Sequence, residues 1–99
     1  MNNLPHMIHR DYFEEGMKLS VKNSKELSES AVILFNEKKY PQSEFLAYMG
    51  IEEMGKALFL LDDILDDTIQ ISKSRWKKYY CSHFEKLKRV REEIQKKSL

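Results

Sequence analysis

Three polar side chains fall where a helical pattern calls for apolar ones, and they are of types that do chemistry together: Asn23, Glu53 and His83. Burying a polar group without a partner costs roughly 1 to 3 kcal/mol, so each needs a neighbour or a task. His83 suits general acid or base work, because imidazole as a group titrates near neutral pH. Arg75, Lys86 and Arg89 lie close enough to it in the sequence to give a phosphate an electropositive neighbour. Glu52, Glu53 and Lys56 allow i, i+4 and i, i+3 ion pairs on one helix, worth about 0.3 to 0.5 kcal/mol if exposed. No broad polar face surrounds these three, which predicts that at least one carboxylate is partly buried. Asn23, carrying donors and an acceptor, is the natural bridge between them. The plainer alternative is a core imidazole satisfied by a Tyr or Glu beside an ordinary surface ion pair.

Other chemistries lack their residues. There is no Gly-rich phosphate loop, no nucleophile elbow, no Cys-His pair at recognisable spacing and no Glu-x-x-His pair of the kind that holds metals in helical bundles. His6, His9 and Asp11 imitate a ligand cluster only at a chain end, so neither a metal nor a cofactor is expected.

The elements that must position these residues are helical, since the whole chain has two prolines and three glycines. The first helix is expected from Asp11 to Glu37, with Asp11 and Glu14 spaced as a capping box and Phe13, Met17, Leu27, Ala31, Leu34 and Phe35 facing inward. The polar stretch from Ser20 to Glu29 weakens that stripe. Pro41 opens a second helix to about Asp67, apolar on nearly every side and therefore central. After a loop over residues 68–73, Ser74 is the expected cap of a third helix, whose Trp76, Tyr80, His83, Leu87, Val90 and Ile94 recur as a heptad seam. The fold expected is an all-α, up-down-up bundle of three main helices. Its central helix has more apolar surface than two neighbours cover, which calls for a homodimer.

A chain of 99 residues, 41% hydrophobic and 33% charged, is expected to form one domain over residues 1–99, with residues 1–10 expected as a loosely held N-terminal segment. The lone Cys81 excludes an internal disulfide framework, and no apolar run approaches the roughly 18 residues of a membrane span. A cytoplasmic protein without a membrane partner is expected. The net charge of +1 hides an asymmetry: residues 1–72 hold 7 Lys and Arg against 13 Asp and Glu, and residues 73–99 hold 10 against 3. Either the basic end packs beside Asp62, Asp63, Asp66 and Asp67, or it offers a surface to phosphates.

Three segments resemble the AbiV family of abortive-infection proteins, a branch of the HEPN helical-bundle superfamily. They are E-G-M-K-L-S-V-K-N-S-K-E-L from Glu15, S-E-F-L-A-Y-M-G-I-E-E-M-G-K from Ser43, and W-K-K-Y-Y-C-S-H-F-E-K-L from Trp76. The resemblance spans roughly residues 14–88 and rests on the spaced E-E-x-G-K and H-x-x-K pair. It implies an antiphage protein that halts growth of an infected cell by acting on RNA or translation. Toxic HEPN proteins are metal-independent ribonucleases, dimers with an Arg and a His of an Arg-x4-6-His motif facing each other across the two-fold axis. Here Arg75 precedes His83 by eight positions and departs from that motif. The family positions are instead Asn23, Glu53, Lys56, His83 and Lys86.

In a metal-free ribonuclease, His83 would be base or acid, Glu53 would orient His83 or Lys56, and Lys56, Lys86 or Arg75 would supply the cation. The competing expectation is a noncatalytic interaction module that binds a phage or host protein through the bundle surface.

Overall fold

The computed structural model describes residues 8–97 of the chain. A two-residue strand β1 (Ile8–His9) and a 3-10 turn (Arg10–Tyr12) lead into α1 (Phe13–Asn36) and α2 (Tyr40–Leu65). A second short strand β2 (Gln70–Ile71), one turn of helix α3 (Lys73–Arg75), a π-helical segment (Trp76–Tyr80) and α4 (His83–Lys97) complete the order. The all-α architecture is as expected, and the only strands described are these two, paired antiparallel with Ile8 opposite Ile71.

Asp11 does not cap α1. It lies inside the 3-10 turn, where His9 Nδ1 accepts its N–H at 3.1 Å, and α1 begins behind Tyr12 with no side-chain cap. The residues after each long helix, Lys38 and Asp67, adopt left-handed backbone with φ of 63° and 56°. The N–H of Lys39 donates to Leu34 O and that of Thr68 to Asp63 O, closing each end as a Schellman turn without its usual glycine. His6 and most of the expected N-terminal segment lie outside the described residues.

The α1–α2 hairpin is zipped by small residues. Ser20, Ser24 and Ala31 of α1 are buried, as are Ser43, Gly50 and Ala57 of α2. Ser24 Oγ donates to Gly50 O at 2.8 Å, and Ser43 Oγ donates to Ala31 O at 2.6 Å. A Cβ on Gly50 would stand 3.1 Å from Ser28 Oγ, so the two backbones approach closely here. The polar stretch expected to weaken the inward stripe thus carries part of the contact surface. Phe35, expected inside, is exposed because the stripe runs through the serines instead.

The apolar core sits at one end of the hairpin, where Phe13, Phe59, Leu60, Ile71 and Tyr80 are buried with Met17, Ile64, Trp76 and Tyr79 packed around them. Trp76 stacks on Tyr80 with centroids 5.0 Å apart, and Phe59 meets Tyr79 and Tyr80 at 5.5 Å. Among the described residues the other end has no third layer: Val32, Ile33, Phe35, Phe45, Tyr48 and Met49 are exposed.

The expected continuous third helix is interrupted. Ser72, not Ser74, caps α3 by accepting the Arg75 N–H at 3.1 Å. The π-helical turn then widens the helix, and the helix is interrupted at Cys81 and Ser82 before α4 starts. Ser82 Oγ accepts the Glu85 N–H at 3.1 Å, which caps the new helix. His83 therefore opens α4 and leaves the heptad seam: its side chain is 73% exposed. Pairings from Glu52 with His83 to Asp62 with Arg89 advance in the same direction along both helices. The return leg of the bundle is thus made by residues 66–82, and α4 follows α2 in the same sense.

Candidate functional site

Along α2, Glu52, Gly55, Phe59 and Asp62 recur at three- and four-residue intervals, one helical stripe. Facing it, α4 presents His83, Lys86 and Arg89. The two helices touch at Gly55, where an added Cβ would fall 2.5 Å from Lys86 O and 2.7 Å from Lys86 Cβ. The glycine of the E-E-x-G-K motif is therefore what lets α4 lie close enough for its first turn to reach Glu52. Gly55→Ala should displace α4 and cost about 1–3 kcal/mol, as overpacking does. A denaturant titration showing no loss of stability would contradict that close approach.

Glu52 accepts hydrogen bonds from both α4 side chains, His83 Nδ1–H and Lys86 Nζ, the latter at 3.2 Å. Burial alone would raise the Glu52 carboxyl, but the His83 and Lys86 bonds outweigh it and hold the carboxyl below its usual range. The unfolded chain thus binds a proton on Glu52 at a higher pH than the folded one, so stability rises with pH across that interval. We expect the stability contributed by this carboxylate to be full above about pH 5 and lost as pH falls from about 4.3 through the lower folded value. Thermal melts at pH 7, 5, 4 and 3 read this out, and in Glu52→Gln that part of the acid limb should vanish.

With Glu52 ionised and holding Nδ1–H, neutral His83 presents the lone pair of Nε2, which has no protein partner among the described residues. This is the arrangement of a general base steadied by a carboxylate. It stands at the edge of a cleft of about 700 Å³ between α1, α2 and the start of α4. Of the residues expected to form a site, Asn23, Glu53, His83 and Lys86 all line this cleft. Asn23 is exposed, and its side chain makes no hydrogen bond among the described residues, so it does not bridge the others. Lys56 pairs with Glu53 at 4.0 Å but is not part of the cleft wall.

Arg75 and Arg89 stand elsewhere, on a second hollow of about 460 Å³. Arg75 Nε lies 2.9 Å from Asp63 Oδ1, and Arg89 binds Asp62 at 2.8 Å and Glu93 at 2.9 Å. Burial works against both guanidinium charges, yet the carboxylates raise both above the ordinary arginine range; for Arg89 the Asp62 bond is the largest effect. These two arginines are occupied by carboxylates on α2, the plainer of the two readings of the basic C-terminal region. The carboxylate that meets His83 is Glu52, whereas Glu53 was expected to orient it. The signal was present in the stripe that Glu52 shares with Gly55, because a glycine in mid-helix marks the face that another backbone approaches.

The fold is an all-helical one that holds this site between α2 and α4. A family model described as AbiV, of the HEPN group, matches residues 13–98, and the chain belongs to that family. No curated protein and no solved structure gives a significant match.

Proposed function

We propose that this chain is an abortive-infection ribonuclease that cleaves RNA without a metal ion, works as a homodimer and stops growth or translation in infected cells. The observation that carries the reading is the Glu52–His83 pair with Lys86 beside it, at the mouth of an open cleft. His83 Nε2 takes the proton of a ribose 2′-OH, the freed oxygen attacks the adjacent phosphorus, and the 5′-oxygen leaves with a proton from a protonated imidazole. The bond broken is P–O5′, and the products are a 2′,3′-cyclic phosphate and a 5′-OH. Lys86 supplies positive charge next to the developing phosphorane. Arg75 does not, since Asp63 holds it.

The second copy brings a second imidazole, so that one can act as base and the other as acid. The uncovered end of the hairpin, with Val32, Ile33 and Phe35 exposed, supports such a dimer. Among the described residues no helix is long and apolar enough to cross a membrane. The exposed free thiol of Cys81 suits the reducing cytoplasm, where we place the protein.

Purified protein should degrade RNA in EDTA, leave cyclic-phosphate ends, and run as a dimer in light scattering. Intact RNA after incubation with folded protein would end the nuclease reading, and a monomer at micromolar concentration would end the dimer. The noncatalytic reading, a module binding a phage or host protein, has one observation in its favour. The Glu52–His83, Glu52–Lys86 and Asp62–Arg89 pairs also fasten α4 to α2, a structural task that needs no substrate.

A further inference from the structure

The cleft beside His83 is poorly suited to hold phosphates. Its wall carries three carboxylates, Glu26, Glu52 and Glu53, against Lys86 and the imidazole, the reverse of a backbone-tracking groove. Its apolar side is in part aromatic, with Phe45 and Tyr48 exposed at 63% and 40% and Met49 next to them. The volume of about 700 Å³ is within the range of small-ligand sites, which are mostly apolar with a few converging polar groups. Glu52 is committed to His83 and Lys86, but Glu53 is not. Among the described residues its Oε2 is buried with no hydrogen-bond partner, and its Oε1 has Lys56 only at 4.0 Å. A buried acceptor left in this state calls for a donor from outside the fold.

We propose that this cleft is the base-binding subsite for the RNA strand cleaved at His83, and that it takes guanine. The proposal rests on the ribonuclease reading. Phe45 and Tyr48 offer stacking surfaces, as aromatic side chains do for unpaired bases, while the sugar and phosphate stay at the rim beside His83 and Lys86. Guanine is the base whose edge carries two adjacent donors, N1–H and N2–H, matching the two oxygens of one carboxylate. On adenine and cytosine the amino group adjoins a ring acceptor, and on uracil the single N–H lies between two carbonyls. Each of those edges turns an acceptor toward Glu53.

The test uses the wild-type chain and 5′-nucleoside monophosphates, which offer no internucleotide bond to cut. Calorimetric titration should show GMP binding about tenfold or more tightly than UMP, AMP or CMP. Glu53→Gln, checked for an unchanged melting temperature, should erase that preference. Equal affinity for all four nucleotides, no binding, or a preference that survives Glu53→Gln overturns the proposal. So does capture of a basic amphipathic peptide by a protein that ignores nucleotides. GMP selectivity without any RNA cleavage would keep the base site and remove the nuclease reading. RNA cleavage indifferent to base identity would do the opposite.

Discussion

His83→Ala is expected to slow RNA cleavage by about 10² to 10⁴-fold, the usual contribution of a positioned general base. The fold should survive the change, because the ring is 73% exposed and opens α4 instead of filling the core. What is lost structurally is one hydrogen bond from an exposed ring, worth about 1 kcal/mol, and Lys86 continues to hold Glu52. Single-turnover cleavage assays with melting curves on the same preparations separate the possibilities. Full activity in the variant removes His83 from the chemistry. A collapse of the melting temperature assigns the residue to structure and favours the interaction module.

Asp63→Ala should do the reverse, destabilising the fold by about 2–3 kcal/mol, since it removes a buried carboxylate and leaves its buried hydroxyl partner unsatisfied. Asp63 is 2% exposed and serves two partners: Tyr80 Oη donates to its Oδ2 at 2.5 Å and Arg75 Nε to the same oxygen at 3.1 Å. Burial first, and then the bond to Asp63, push the Tyr80 hydroxyl well above the ordinary phenol range, so that it remains a donor. Alanine would strand that hydroxyl in the core and leave Arg75, which lies over the Tyr79 ring, without the carboxylate that holds it. Since domains of this size have about 5–15 kcal/mol in total, a large part of the margin would go. Chemical denaturation should show the midpoint falling sharply. A shift equivalent to under 1 kcal/mol would show that the Trp76–Tyr80 turn is held by its ring packing alone.

Much of the fold could be read from the chain because its signals are local. Pro41 at the first turn, apolar residues around α2 and the scarcity of breakers give two long helices within a few residues of their observed limits. The interruption near Cys81 was hidden by the heptad spacing, which runs on through it, since periodicity does not register a change of backbone hydrogen bonding. Ser82 and Glu85 nevertheless have the S-x-x-E spacing of a helix start, and Ser82 does cap α4.

The candidate site was legible in its residue types and less so in its pairings. Glu52 and Glu53 are chemically identical and adjacent, so which one meets His83 depends on where α4 crosses, a long-range matter that Gly55 alone hints at. Arg75 and Arg89 look available in the sequence because charge counts do not show which aspartates already hold them.

The seam of serine, glycine and alanine between α1 and α2 also bears on temperature. It joins the helices through directional bonds from Ser24 and Ser43 to carbonyls, and hides little hydrocarbon from water. The heat-capacity increment of unfolding scales with the apolar area exposed and is reduced by polar exposure. This hairpin should therefore contribute a small increment, a shallow stability curve, and cohesion that changes little between a cold and a warm cell.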